Sequence, residues 1–504
     1  MKLFSIVSRP LPGLPPVLAL CAAVAGCAVG PDFSTPAAPQ TDRYTAQELP
    51  AQTVATDVPG GQPQIMAPGK KLPAQWWTLF GSDKLNSLVD AAFANSPSTA
   101  AARASLQQAQ ANLAAQRGGL FPSVGLDASA QRQSGSIIAP ELPATGIYNL
   151  YNASVSVGYT LDLFGGVRRG IEARAAVVDF QQFELEATYL TLAGNVVTAS
   201  VSEAALRDQL QATQEIIDAL EKQLNISEQR YDLGASPFAD VLAARSNLAS
   251  VRATLPLYEK QVAAVRNQLA VYLGKLPSEF AASDFSLAEL QLPEELPLSL
   301  PSELVRRRPD VRAAEARLHE ASANVGVATA NLFPQLSLSG SYGSQSTSSG
   351  DLFNDTFWSI GAGLTQPLFQ GGRLTAERRA AIAAYDRAAA DYRSSVLTAF
   401  QNVADALTAV HTDARALQAR HQALQSAQSS LDLREKQHAL GGISFLELLD
   451  SQRQYQQTRI EYAQALAARY QNTAALFQAL GGDWDEQANA DMAATSPQNT
   501  EQAE

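Results

Sequence analysis

Cysteine, histidine and methionine are scarce in this chain of 504 residues, and each scarcity excludes a chemistry. The two cysteines, Cys21 and Cys27, both lie in the first 30 residues, so there is no disulfide framework. The four histidines, His319, His411, His421 and His438, are never closer than ten residues apart. No His-Glu-x-x-His pattern occurs, and they read as surface histidines on helices. With three methionines, soft-metal transport has little support, and no metal site is expected. Charged residues are only 17% of the chain and sum to −12, without a basic stripe, which excludes nucleic-acid binding. No nucleophile–base pair or phosphate loop is visible, so the chain reads as no enzyme and needs no cofactor. The 46% of hydrophobic residues still demands a folded protein.

What is present begins with a targeting segment. Lys2 and Arg9 precede an apolar run over residues 17–25, the order of a secretory signal, too short to span a bilayer. Its end, Val24-Ala25-Gly26-Cys27, resembles a bacterial lipobox. That resemblance implies a signal peptide over residues 1–26 and a diacylglycerol and N-acyl (palmitate-type) lipid on Cys27, a surface anchor and not a span. Ala28 follows the cysteine; in this lipoprotein class an Asp there argues for inner-membrane retention, so its absence favours the outer membrane. Residues 27–72, rich in Pro, Ala, Gln and Thr, read as an extended tether, ordered only if it lies against something.

The remainder is written twice. Residues 97–129 align without a gap with residues 309–341: Ala102, Leu106, Ala109, Leu120-Phe121-Pro122 and Leu126 return as Ala314, Leu318, Ala321, Leu332-Phe333-Pro334 and Leu338. Leu163-Phe164 with Gly165-Gly166 returns as Leu368-Phe369 with Gly371-Gly372, and Leu233-Gly234 as Leu440-Gly441. The repeats occupy residues 73–274 and 302–482, joined by a Pro-rich linker over 275–301 and followed by a polar tail over 483–504. Each contains a helix, two strands, a very long helix, a tight turn and a return helix.

In the strands the apolar period drops to two. Tyr151, Ala153, Val155, Val157, Tyr159 and Leu161 alternate with Asn152, Ser154, Ser156, Gly158 and Thr160; Val124, Leu126, Ala128 and Ala130 form a partner, and Trp358, Ile360, Ala362 and Leu364 repeat the pattern. Such strands suit a membrane barrel or a two-sided soluble sheet. One chain supplies four, and an open edge cannot sit in lipid, so spanning strands require several copies. The Gly- and Ser-rich residues 134–150 and 343–356 read as loops.

The long helices exceed any globule. Residues 167–231 hold no proline and would extend about 97 Å at 1.5 Å per residue. Residues 374–440 carry a heptad of Val396, Val403, Val410, Leu417, Leu424 and Leu431, the mark of left-handed supercoiling. The first copy repeats it at Tyr189, Val196, Leu210, Ile217 and Leu224, with Glu203 breaking the seam. Ser236 before Pro237 reads as an N-cap, and Ser444 with Glu447 has capping-box spacing.

Four patterns then resemble the TolC-like outer-membrane factors, specifically the lipoprotein (NodT-type) branch serving tripartite RND efflux pumps. They are Trp76-Trp77 with Phe80-Gly81 and Leu85-Asn86-Ser87-Leu88-Val89; Leu161-Asp162-Leu163-Phe164-Gly165; Arg307-Arg308-Pro309-Asp310-Val311; and the helical turns beginning Tyr231 and Leu440. The resemblance covers nearly all of the mature chain. It implies a mainly α fold with a membrane β-barrel portion, built as a homotrimer: four strands per chain in a 12-stranded barrel, and a long helical tunnel in the periplasm. It implies a passive duct for drugs or other small toxic solutes in the outer membrane of a Gram-negative bacterium. The partners implied are a periplasmic adaptor, meeting the tips Leu233, Gly234, Ala235, Ser236, Leu440, Gly441, Gly442 and Ile443, and an inner-membrane pump. The family's periplasmic gate maps onto Leu446, Glu447 and Asp450, which share one helix face. For Glu447 gate and cap remain open, while Asp450 has no capping rival. Arg306-Arg307-Arg308 reads as a solvated basic turn. Competing readings are a type I protein-secretion duct, which usually lacks the lipid anchor, a metal-ion duct, and a non-conducting coiled-coil lipoprotein, which leaves the strands unexplained.

Overall fold

A computed structural model describes residues 28–137, 144–280 and 285–482. The signal segment, Cys27 and the tail at 483–504 lie outside the described residues. In chain order the elements are β1 (Ile65–Pro68), a 3-10 turn (Trp76–Phe80), α1 (Asp83–Asn95), α2 (Pro97–Gly118), β2 (Ser123–Ile137), β3 (Ala144–Leu161), α3 (Gly166–Asp232), α4 (Phe238–Arg252) and α5 (Leu255–Tyr272). A second 3-10 turn (Leu287–Glu289) leads to β4 (Glu295–Leu298), α6 (Pro301–Arg307), α7 (Pro309–Ala330), β5 (Gln335–Ser346), β6 (Thr356–Thr365), α8 (Arg373–Ala439) and α9 (Phe445–Leu480). Helices α3 and α8 are 67 residues each. The chain divides into two units.

Of the described residues, the first unit comprises 28–35, Leu106–Phe180 and Ala314–Tyr392. Its sheet is antiparallel in the order β2-β3-β5-β6, so β2 and β6 are edges. The registers place apolar residues opposite apolar ones across all four strands: Leu126 with Val155, Val155 with Tyr342, and Tyr342 with Trp358. The intervening residues put Asp127, Ser154, Gly343 and Phe357 along the other face, polar but for Phe357. The strands run further than their alternation indicates. β2 extends through Ile137 and β3 begins at Ala144, inside the stretch read as a loop, because small Ser and Gly residues pair their backbones without contributing an apolar face. The start of the tether lies on this unit. Val29 N–H donates to the Phe164 carbonyl at 3.1 Å, and Arg169 reaches Asp32 at 2.5 Å and Glu172 at 2.7 Å. Phe33 stacks on His319 at 4.3 Å, and that histidine's Nε2 lies 3.0 Å from Glu172.

Of the described residues, the second unit comprises Pro36–Ser105, Gln181–Ala313 and 393–482. The heptad packs as its spacing requires. Val403, Val410, Ala414 and Leu417 are fully buried, as are Val196 and Ile217 in the first copy. Glu203 is buried too, its carboxylate 2.8 Å from Arg266 of α5. The Trp76-Trp77-Phe80 motif is buried aromatic core: Trp77 meets Phe93 at 5.3 Å and Trp76 meets Phe477 at 5.8 Å, both tilted toward edge-to-face geometry. The rest of the tether folds as well. β1 pairs in parallel with β4 of the linker, and Gln64, fully buried, donates to the Pro293 carbonyl and to Thr473 at 3.2 Å each. Arg469, also fully buried, donates to Thr53 and to the Gln62 carbonyl.

Four local expectations are corrected. Arg308 is buried, not solvated: it grips Asp310 in a two-pronged ion pair at 2.9 and 2.6 Å, and its remaining nitrogen donates to the carbonyl of Ala479 at 2.9 Å. That carbonyl belongs to the last turn of α9, which has no helical donor left to satisfy it. His411 is buried rather than superficial, and burial, then Arg415, hold its pKa below the usual histidine range. The first return helix is two helices, because Pro256 has no N–H to continue α4. Finally, Ser236 is not the N-cap. Pro237 takes that place, its carbonyl accepting from Asp240 at 3.1 Å, while the Ser236 hydroxyl has no partner.

Replacing Arg308 by Leu strands the Ala479 acceptor and the Asp310 carboxylate, so it should lower stability by roughly 1.5–3 kcal/mol, the worth of hydrogen bonds to a charged group. Arg308→Lys, without the planar fork, should recover only part of this. Denaturant unfolding in detergent followed by far-ultraviolet circular dichroism checks both; an unchanged midpoint for Arg308→Leu refutes the assignment.

Candidate functional site: the helical tips and the start of the second return helix

Both long helices end in the same backbone construction. At the first tip, Gly234 adopts φ +71°, its N–H donates to the Tyr231 carbonyl at 2.8 Å, and Ala235 donates back to Arg230 at 2.7 Å. At the second, Gly441 adopts φ +73°, donates to His438 at 3.0 Å, and Gly442 donates to Gln437 at 2.8 Å. A left-handed residue at these two positions lets the chain reverse while still satisfying the last carbonyls. The first residue after each helix is thrust into solvent: Leu233 is 83% exposed and Leu440 is 88%. An aromatic pair braces each turn, Tyr231 on Phe238 at 5.1 Å and His438 on Phe445 at 5.6 Å.

The start of α9 is amphipathic. Phe445, Leu448 and Leu449 are buried with Ala244 and Leu431. The opposite face presents Leu446, Glu447 and Asp450, all exposed. The Ser444 hydroxyl accepts from the Glu447 N–H at 3.3 Å, one half of a capping box. The Glu447 carboxylate is engaged elsewhere, accepting from Arg434 of α8 at 3.0 Å, across the turn. Asp450 lies 3.9 Å from Arg453, whose Nε donates at 3.2 Å to Asn247 of α4. The three residues assigned from sequence to a gate are thus brought to one exposed face. Arg434, which bonds Glu447, and Asn247, which bonds Arg453, are not legible in the sequence. Arg434 is separated from Glu447 by a reversal, so no helical spacing links them; Asn247 belongs to the other hairpin.

A four-stranded sheet with one apolar and one polar face, in a chain that also carries two helices of 67 residues with a heptad pattern, has the elements of an outer-membrane duct. Residues 88–275 and 300–482 match the outer membrane efflux protein family, and the chain belongs to it. Among curated relatives, the pyoverdine export outer membrane protein OpmQ of Pseudomonas putida is 33% identical over 431 residues, 84% of this chain and 92% of that protein. The toluene efflux pump outer membrane protein TtgC of Pseudomonas putida is 30% identical over 466 residues, 92% and 94% of the two chains. Among solved structures, the outer-membrane channel OprN superposes with a TM-score of 0.80 at 28% identity, covering 91% of this chain and 100% of that one. The protein is accordingly an outer-membrane efflux channel component, as the resemblance of its motifs implied.

The His438 ring titrates below the usual histidine range. Burial is the first cause and Arg230 the second, with Asp240 opposing. A depressed pKa means the unfolded tip binds a proton more readily, so the tip is fully stable above about pH 6.5, the free histidine value, and loosens as pH falls below it. Hydrogen exchange at residues 436–446 should accelerate between pH 7.5 and pH 5 beyond its intrinsic pH dependence, and His438→Gln should abolish the excess. An equal acceleration in the variant refutes the role of this side chain.

Proposed function

We propose that three copies of this chain close one 12-stranded barrel in the outer membrane of a Gram-negative cell, continued into the periplasm by a tunnel of twelve helices. The observation that carries the reading is the four-stranded sheet with two edge strands and one continuous apolar face: in lipid every backbone group needs a partner, and only further strands supply it. Cys27, lipidated, anchors the assembly at the membrane surface. The tips, with Leu233 and Leu440 as their most prominent apolar residues, receive the hairpins of a periplasmic adaptor, which joins the duct to an inner-membrane RND pump. The pump supplies the energy and selects the solute; the duct performs no chemistry.

Within this duct, Leu446, Glu447 and Asp450 face the lumen and narrow its periplasmic end. What supports the assignment is their shared exposed face, opposite the buried Phe445, Leu448 and Leu449. Carboxylates repeated by symmetry in a narrow mouth, in a chain of net charge −12, favour cations. The exported solutes are small and toxic to the cell, drugs among them. The relatives named for pyoverdine export, at 33% and 32% identity, favour a second reading, secretion of a small molecule the cell itself makes.

Single-channel recording in planar bilayers tests the gate. The unmodified protein should show a small, cation-preferring conductance, and Asp450→Ala should raise it and weaken the cation preference. Unaltered conductance and selectivity in the variant would exclude Asp450 from the constriction.

A further inference from the structure

β3 and β5 belong to different repeats, yet they pair within one chain, with Tyr159 opposite Leu338 and Leu161 opposite Leu336. Continuing that register past the last pair brings Phe164 opposite Phe333, and their rings stack at 4.7 Å and 19°. The duplication maps Phe164 onto Phe369 and Phe333 onto Phe121. These two rings are 89% and 70% exposed in the protomer. The strands before and after them, β6 and β2, are the sheet's two edges. Thus β6 stands to a β2 of another copy as β3 stands to β5.

We infer that a second copy of this chain lays its β2 along β6, with Leu364 opposite Leu126 of the partner subunit and Ala362 opposite the partner's Ala128, and that Phe369 stacks on the partner's Phe121. The inference rests on barrel closure by several copies and specifies the register of the seam. The faces impose a constraint of their own. Leu364, Ala362 and Ile360 lie on the apolar face of β6, as Leu126, Ala128 and Ala130 do on β2. A slip of one residue would place each apolar residue against the polar row, so only slips of two compete. Such slips are real competitors. The duplicated image of the Ser123–Gly158 pair is Gln335 with Gly363, whereas Gln335 pairs with Thr365. The aromatic lock decides between them, since a slip of two residues displaces one ring along the other strand by about 7 Å.

Cysteine pairing across the seam tests this in the full chain, in outer-membrane vesicles. Ala128→Cys is combined in turn with Ile360→Cys, Ala362→Cys and Leu364→Cys, with the single variants as controls. Directly opposite residues lie about 4.5–5.5 Å apart and diagonal ones about 7–8 Å, while a disulfide accepts about 4.4–6.8 Å between Cα atoms. The Ala362 combination should give reductant-sensitive dimers and trimers on denaturing gels, with the other two lacking them. Ala130→Cys with Ile360→Cys, in the same register, should do likewise, which guards against misfolding of one variant. Ladders from the Ile360 or Leu364 combinations with Ala128 overturn the register and leave closure standing. A monomeric mass for the unmodified protein in detergent overturns closure and register together.

Discussion

The backbone N–H and C=O groups along the outer edges of β2 and β6 are the constraint on which the rest of this structure turns. In water such an edge is tolerable; in hydrocarbon each unpaired group costs several kcal/mol, on the order of a lost hydrogen bond without compensation. In lipid, therefore, four such strands from one chain would need further strands at both edges. Its internal duplication offers a way out, because a sheet assembled from two like halves has, at its free edges, the same two surfaces that already meet in its middle.

In the second unit the same economy recurs with polar groups that meet needs left by a helix end or by the tether. Arg308 serves the Ala479 carbonyl in the last turn of α9, Glu203 takes Arg266 into a seam otherwise apolar, and Arg469 and Gln64 fasten residues 53–64. Leaving such groups without any partner would cost more than burying the hydrocarbon they displace, so the bonds they do make favour this arrangement over others. The tether becomes structure through these bonds, although its own composition carries no apolar period.

Much of this was legible in the sequence because periodicity reports which face is buried. The alternation from Tyr151 to Leu161 and the heptad from Val396 to Leu431 each state a geometry directly, and both appear in the fold. What was illegible depends on partners far along the chain. A run of three arginines looks solvated until the carbonyl of Ala479 arrives beside the third. β1 is four residues that mean nothing without β4. The face holding Leu446, Glu447 and Asp450 was readable from helical spacing, whereas Arg434 and Asn247 were not, since one lies across a reversal and the other in a different hairpin. The break at Pro256 was readable and overlooked; the proline itself announces it.

That break has a mechanical meaning. In the second hairpin, α9 is an uninterrupted rod of 36 residues, hydrogen-bonded turn upon turn. In the first, α4 and α5 meet at Ala253 and Thr254, where the regular ladder is interrupted. A helix that lacks a hydrogen bond bends there more readily than an unbroken one, so of two arms of nearly equal length the first has its softest point beside Pro256 and the second has no such joint.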